Sequence, residues 1–513
     1  MNNISANIRN AIIIGMAFIL ALWLGVSIVT AQTETALQFS GAALLLVCLF
    51  LGRRIWLLMI LFSALSVPLI RGFNTTELGQ ALFIGFTLVI FLLRRQPLKV
   101  KFGELEFWML LVAASVVQVY LRNPVGLNMF GAGAVGAKPY FMVAMAFTTG
   151  IILGCIVVPP AEIKWYLRLT IIGSFLGIGL TALRMRGGES TGFVKGAKLD
   201  DARASGRIGS LGSIGLNLSR VLASYLSPLQ ALLHPGWGFL ILLTVAAAAG
   251  SGFRNGVASV GMLYLVAIAY RSGLPGVLFS ILIGSMGLGL LAIVNVAMPL
   301  PPNVQRALSP FPGTWEQRYI DAAESSTEWR VEMWKEALFT PYWIDNKILG
   351  DGLGFSRREM KILEAVEAGG AGTGSLGSGM SMQQESMMIT AGYHSGPVQC
   401  IRITGYVGLL ILLVTMIRVA VHAHRQILRC RGTEWLPVAM FTGLPAISLP
   451  FIYVFVFGDF GRDVSAVCFF YGMVRLLEKN LPLPAFVKRR YEPFILKRGH
   501  LSGPSSAPPR AIS

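Results

Sequence analysis

Apolar runs of about 16 to 23 residues recur along this chain, separated by short polar turns. The apolar residues within them are continuous rather than alternating, which reads as helix and not as barrel strand. The runs fall near 11–31, 36–51, 55–70, 78–93, 107–121, 140–158, 165–183, 216–233, 236–250, 255–270, 275–297, 404–423, 436–457 and 463–477. A hydrocarbon core roughly 30 Å thick is crossed by about 20 helical residues. The pattern therefore predicts an all-α polytopic membrane protein with about fourteen transmembrane helices (roughly 12 to 14). It lapses in one long polar block. The expected organisation is an N-terminal transmembrane bundle at 1–297, a large loop at 298–403, C-terminal helices at 404–477 and a basic tail at 478–513.

Composition agrees: 54% of the residues are hydrophobic and 13% charged, against about 25% charged in soluble domains. The formal net charge of +18 is largely a topological bias. Arg53 and Arg54, then Arg94, Arg95, Lys99 and Lys101, then Arg271, then Arg425, Arg429 and Arg431 all fall on one side of the span count. Basic turns stay cytoplasmic, so both termini are expected inside. The large loop then faces outward, into the periplasm if the envelope has two membranes. Lys488-Arg489-Arg490 and Lys497-Arg498 in the tail suit anionic lipid headgroups rather than nucleic acid. Val29-Thr30-Ala31 resembles a cleavage site, but the run before it is longer than a signal-peptide core, so an uncleaved span is expected. Cys48, Cys155, Cys400, Cys430 and Cys468 have no paired spacing, so neither a disulfide framework nor a zinc site is indicated.

Inside the block, 325–338 reads as a helix capped by Ser325 or Ser326, with Trp334 on the face of Arg330. The stretch 349–355, with Gly350, Gly352 and Gly354, reads as a turn. The Gly- and Ser-rich stretch 369–381 reads as a loop, either a lid or a plain insertion. A second outward segment, 184–216, carries Arg184, Arg186, Lys195, Lys198, Arg203 and Arg207.

Three residues are candidates for chemistry. His394 ends the block at the membrane edge, where an imidazole suits proton transfer near neutrality; the plainer alternative is an interfacial histidine bonded to a carbonyl. Arg254 lies in a tight turn between two spans, on the same predicted side. Charge so close to hydrocarbon is often functional, but a snorkelling arginine would look the same. Arg330 sits on the loop helix, where a solvated face is the alternative. Gly405 and Gly408 open the next apolar run at a spacing that suits close helix packing. Two arginines and a histidine on one face, with no acidic cluster to hold a metal, suit an anionic lipid-anchored substrate and metal-free proton transfer.

The arrangement resembles the O-antigen ligase and O-antigen polymerase superfamily of bacterial lipid-linked glycan transferases. His394-Ser395, nine residues, Gly405, Tyr406-Val407 and Gly408 fit the ligase motif near the end of the large periplasmic loop. The turn 251–256 is similar to the family's Ser-Arg-Gly turn, with Phe253-Arg254-Asn255 in its place. Arg330, Trp334, Ala337-Leu338, Gly350, Gly352 and Gly354 resemble the family's Arg–Trp–Ala-Leu–Gly-x-Gly block. The resemblance implies a GT-C-like architecture and glycan transfer from undecaprenyl-pyrophosphate to an acceptor hydroxyl, with inversion and without cofactor or metal. It implies His394 as general base and Arg254 and Arg330 as pyrophosphate ligands. Arg207, near the outer end of a span, is a weaker candidate for a basic contact, with a simple loop charge as the alternative. The acceptor stays open among lipid A-core (a ligase), a growing polysaccharide (a polymerase) and a protein hydroxyl (an O-oligosaccharyltransferase). A lipid-linked oligosaccharide transporter or flippase is the alternative of another class.

Overall fold

A computed structural model describes residues 44, 47–67, 74–93, 102–124, 137–186, 209–340, 343–353, 387–388 and 391–482. The expected spans at 11–31 and most of 36–51, together with Arg207, Gly354, the 369–381 loop and the basic tail, lie outside these residues. Among the described residues there is no β-strand, and eight helices are long and apolar enough to cross a membrane. The chain is a helical membrane protein.

The described order begins with the helical run Val47–Leu65, broken by a 3-10 turn at Gly52–Arg54, after which α1 spans Ile55–Leu65. Then come α2 (Thr75–Leu92), α3 (Glu104–Arg122), α4 (Lys138–Cys155), α5 (Pro160–Arg186), α6 (Gly209–Tyr225), α7 (Pro228–Leu232) and α8 (Pro235–Gly250). They are followed by α9 (Arg254–Ala297), α10 (Pro302–Leu308), α11 (Gln317–Phe339), α12 (Gly396–Cys430), α13 (Leu436–Phe451) and α14 (Phe460–Asn480).

Several boundaries differ from expectation for identifiable reasons. The run expected at 216–233 breaks between α6 and α7, because Pro228 lacks an N–H and disfavours helical backbone at Ser227, which is extended (ψ 112°). α8, at 16 residues, is short for a crossing. The loop helix begins at Gln317 rather than near Ser325. The preceding Gln-Arg-Tyr-Ile-Asp-Ala-Ala-Glu is good helix-forming sequence, so the serines lie inside the helix instead of capping it.

α9 holds 44 residues and would be roughly 66 Å long if straight. It is not straight. Gly273 is left-handed (φ 69°) and Pro275 follows. The Asn303 side-chain amide donates to the Gly250 carbonyl at 3.3 Å, and the chain outside α9 between them reaches only about 36 Å. The two ends of α9 must therefore lie near each other, and the helix folds back at Gly273 into arms 254–272 and 274–297. The second arm exposes Leu278, Phe279, Leu282, Met286, Leu290 and Ile293, a surface suited to lipid rather than water.

Small residues set the tightest helix crossings. A Cβ at Gly150 of α4 would lie 2.4 Å from the Cys468 carbonyl oxygen of α14, and one at Gly177 of α5 would lie 2.3 Å from that of Leu65 in α1. At one end of the bundle, the start of α3 and the ends of α12 and α14 share an ionic network. Arg475 pairs with Glu106 at 2.6 Å and with Glu478 at 2.7 Å, and His422 Nδ1 meets Glu478 at 2.8 Å. The opposite end, where α3 finishes and α4 and α14 begin, carries the loop.

Candidate functional site

The site is built on a break in α12. Gly405 has φ 73° and ψ −179°, which divides the helix into a short arm, 396–404, and a long arm, 406–430. Helical hydrogen bonds lost at the break are replaced by the loop turn. The Asp351 and Gly352 amides donate to the Arg402 and Ile403 carbonyls at 2.8 and 3.0 Å, and the Tyr406 and Val407 amides donate to Lys347 and Ile348 at 2.8 and 3.2 Å. Two glycines make this approach possible. A Cβ at Gly405 would lie 2.0 Å from the Ile348 carbonyl oxygen, and one at Gly350 would lie 2.4 Å from that of Ile403. A Cβ at Gly408 would instead meet the Thr404 hydroxyl of its own helix, at 2.2 Å.

The turn is pinned from both sides. The Asp351 carboxylate accepts from the Asp345 and Asn346 amides at 2.9 Å each and pairs with Arg402 Nη1 at 3.0 Å. Both side chains are largely buried, at 13% and 8% exposure. From α3, Arg122 Nη2 donates to the Gly350 carbonyl at 2.6 Å; from α4, the Tyr140 hydroxyl accepts from Leu353 N at 2.8 Å. The short arm is thus fixed to the bundle at its tail.

His394 stands at its head, one residue before the N-cap Ser395. Its backbone is left-handed (φ 52°), as is that of Ala391 (φ 54°). Such a conformation costs an L-residue roughly 1–2 kcal/mol, so the surrounding contacts must hold it. They come from the π-helical turn Ile452–Val456 that follows α13 and from the start of α14. The Tyr453 hydroxyl donates to the Gly396 carbonyl at 2.7 Å, and Gln399 accepts from Phe460 N at 2.7 Å. The His394 ring packs on Phe457 with centroids 5.5 Å apart, and Arg462 Cζ lies 5.2 Å from the centroid of that same ring.

α11 closes over this arm. The Trp334 indole N–H donates to the Tyr393 carbonyl at 2.7 Å. Met333, Ala337, Ile344, Tyr393, Val398 and Ile401 share one apolar cluster, packed by Trp329 and Trp334. Arg330 is half-buried one turn before Trp334, so the structure brings its helix against the residue beside His394. Arg254 is the first residue of α9, after a turn in which the Ser251 hydroxyl bonds the Ala248 carbonyl and accepts from Phe253 N. That turn is joined to the loop through Asn303 of α10. α10 connects in turn to the start of α11, where Gln305 and Glu316 exchange two hydrogen bonds of 3.1 Å. Arg254 therefore sits at the loop end, linked to α11 through α10.

Sequence reasoning passed over three features. The Asp351–Arg402 pair and the ionic network around Arg475 join residues far apart in the chain, and no local signal announces them. Arg220 was legible: it is a lone arginine in an apolar run, a position that by default points to function. Among the described residues no three His, Cys, Asp or Glu side chains gather as metal ligands would. No protein-family model matches the chain, and no curated protein matches it either.

Proposed function

We propose that this protein transfers a glycan from undecaprenyl-pyrophosphate to an acceptor hydroxyl at the outer face of a bacterial inner membrane, as the resemblance to O-antigen ligases implies. In this reading the bundle is GT-C-like with about fourteen crossings, the termini are cytoplasmic and the 298–403 loop is periplasmic. The observation that carries it is the indole hydrogen bond from Trp334 to Tyr393. It supports a site in which Arg330 and His394 work on one substrate.

The acceptor oxygen attacks the anomeric carbon as its proton passes to a His394 ring nitrogen. The bond from that carbon to the pyrophosphate oxygen breaks on the opposite face, which inverts the centre. Arg330 and Arg254 hold the pyrophosphate as it leaves. Preorganised charge of this kind is worth about 10²- to 10³-fold in rate, and a general base about 10²- to 10⁴-fold.

The test is transfer by purified protein from a lipid-pyrophosphate-linked glycan, offered lipid A-core, a second repeat unit or a pilin as acceptor. His394→Ala and Arg254→Ala are each expected to abolish or severely reduce transfer while the protein still reaches the membrane. Near-normal transfer by both variants refutes the assignment. Movement of the intact glycolipid across vesicles without bond cleavage would replace it with a transporter.

A further inference from the structure

A cavity of about 530 Å³ opens among α1, α2, α5, α6 and α14. Its wall is unusual for the interior of a membrane bundle: Thr76, Gln80, Ser174, Asn217 and Ser465 line it together with Arg220 and Arg462, of which Arg462 is paired with Asp463 at 3.0 Å. Arg462 stands at the start of α14 beside Phe457, the ring that carries His394. Arg220 lies deeper. It is bonded to Tyr166, whose ring is 6.4 Å from that of Phe469, and Phe469 is roughly 10 Å along α14 from Arg462.

Arg220 is held by neutral groups. Its Nε donates to the Phe441 carbonyl at 2.7 Å, its Nη2 to the Tyr166 hydroxyl at 2.8 Å, and its Cζ stacks 3.8 Å from the Phe441 ring centroid. Among the described residues no carboxylate pairs with it. An uncompensated cation inside a membrane bundle is expensive, and a guanidinium has five N–H donors, more than these two bonds use. A second sign is independent of charge. Ser174 is 6% exposed, and its hydroxyl has no hydrogen-bond partner among the described residues. A buried polar atom left this way is destabilising, and a ligand's hydrogen bond would offset that. The cavity adjoins an apolar niche lined by Ile171, Phe175, Ile214, Leu218 and Val221, which shares Ser174 and Asn217 with it.

We propose that this cavity binds the sugar-phosphate headgroup of a membrane glycolipid, with Arg220 taking phosphate oxygens, Ser174 and Asn217 taking sugar hydroxyls, and the lipid chain leaving across the apolar surface of Ile171 and Phe175, where Phe175 is exposed. The charge selects a phosphate, the hydroxyl-rich wall a sugar, and the adjoining apolar surface an amphiphile. This goes beyond the transfer reading, because it holds for a donor lipid and for any other phosphoglycolipid.

The experiment titrates purified full-length protein in micelles with neryl-pyrophosphate-linked N-acetylglucosamine, and separately with inorganic pyrophosphate and free N-acetylglucosamine. The neryl glycolipid is expected to bind most tightly. Arg220→Gln is expected to weaken it at least tenfold, with Arg220→Lys intermediate. Ser174→Ala should weaken it a few fold without lowering the melting temperature, since that hydroxyl has no protein bond to lose. Wild-type affinity in both Ser174→Ala and Asn217→Ala overturns the proposal, as does inorganic pyrophosphate binding as tightly as the glycolipid. The transferase reading fails separately. Arg220-dependent binding with no sugar transferred to any acceptor sinks that reading and leaves the cavity site standing. Transfer with wild-type affinity in the cavity variants does the reverse.

Discussion

Replacing Asp351 by Asn tests whether the loop turn holds the His394 arm in place. The wild-type carboxylate satisfies two backbone amides and balances Arg402 at 3.0 Å. Asparagine keeps one acceptor oxygen, loses the charge and turns an NH2 toward donors. Removing one partner of a buried pair costs about 3–5 kcal/mol, because the other charge is left uncompensated. If that penalty falls on local opening of the 396–404 arm, at least about 3 kcal/mol of protection is lost there. This corresponds to roughly a 10²-fold rise in the open population. Cys400 offers a direct readout, being fully buried in that arm two residues from Arg402. With Cys400 as the sole cysteine, its modification by a maleimide below the melting temperature should accelerate about 10²-fold in Asp351→Asn. The double variant Asp351→Leu/Arg402→Met removes both charges and should recover much of the protection. Wild-type labelling of Asp351→Asn, or a double variant that labels faster than the single one, refutes the view that this pair locks the arm.

His394→Ala should lower transfer about 10²- to 10⁴-fold, with little change in glycolipid affinity, as measured by single-turnover transfer and binding on one preparation. Trp334→Phe removes the indole donor to Tyr393 and costs about 1 kcal/mol; transfer should fall about tenfold in kcat with membrane expression retained, and an unchanged kcat removes α11 from the site. Gly405→Ala combines left-handed strain with a 2.0 Å clash, so it should accelerate Cys400 labelling as Asp351→Asn does. Gly150→Val drives α4 from the Cys468 carbonyl and should lower the melting temperature by the equivalent of about 1–3 kcal/mol without changing Cys400 labelling below it.

The helices were legible because lipid requires each spanning segment to satisfy its own backbone, which stretches the apolar signal over many residues. The fold-back in α9 was legible too, since Arg271, Gly273 and Pro275 interrupt an apolar run in series. The start of α11 was misread because two serines resemble a cap, and only the residues before them reveal that the helix has already begun. The Gly405 break is different in kind. Glycine predicted close packing there, but its hydrogen-bond partners at 347–352 lie some fifty residues earlier, beyond any local pattern. The order of His394, Arg330 and Trp334 along the chain hinted at a common site, but the Tyr393 carbonyl that joins them depends on a backbone turn that no side chain announces.

The clasp at Gly405 has an evolutionary consequence. Four of its bonds run from main chain to main chain, so they place no demand on what Lys347, Ile348, Ile403 or Tyr406 carry as side chains. Lineages can rewrite those positions while the joint persists, provided Gly350 and Gly405 are spared. Sequence kinship around the joint would then fade faster than its geometry, and two glycines at this separation would be the mark by which distant cousins could be found.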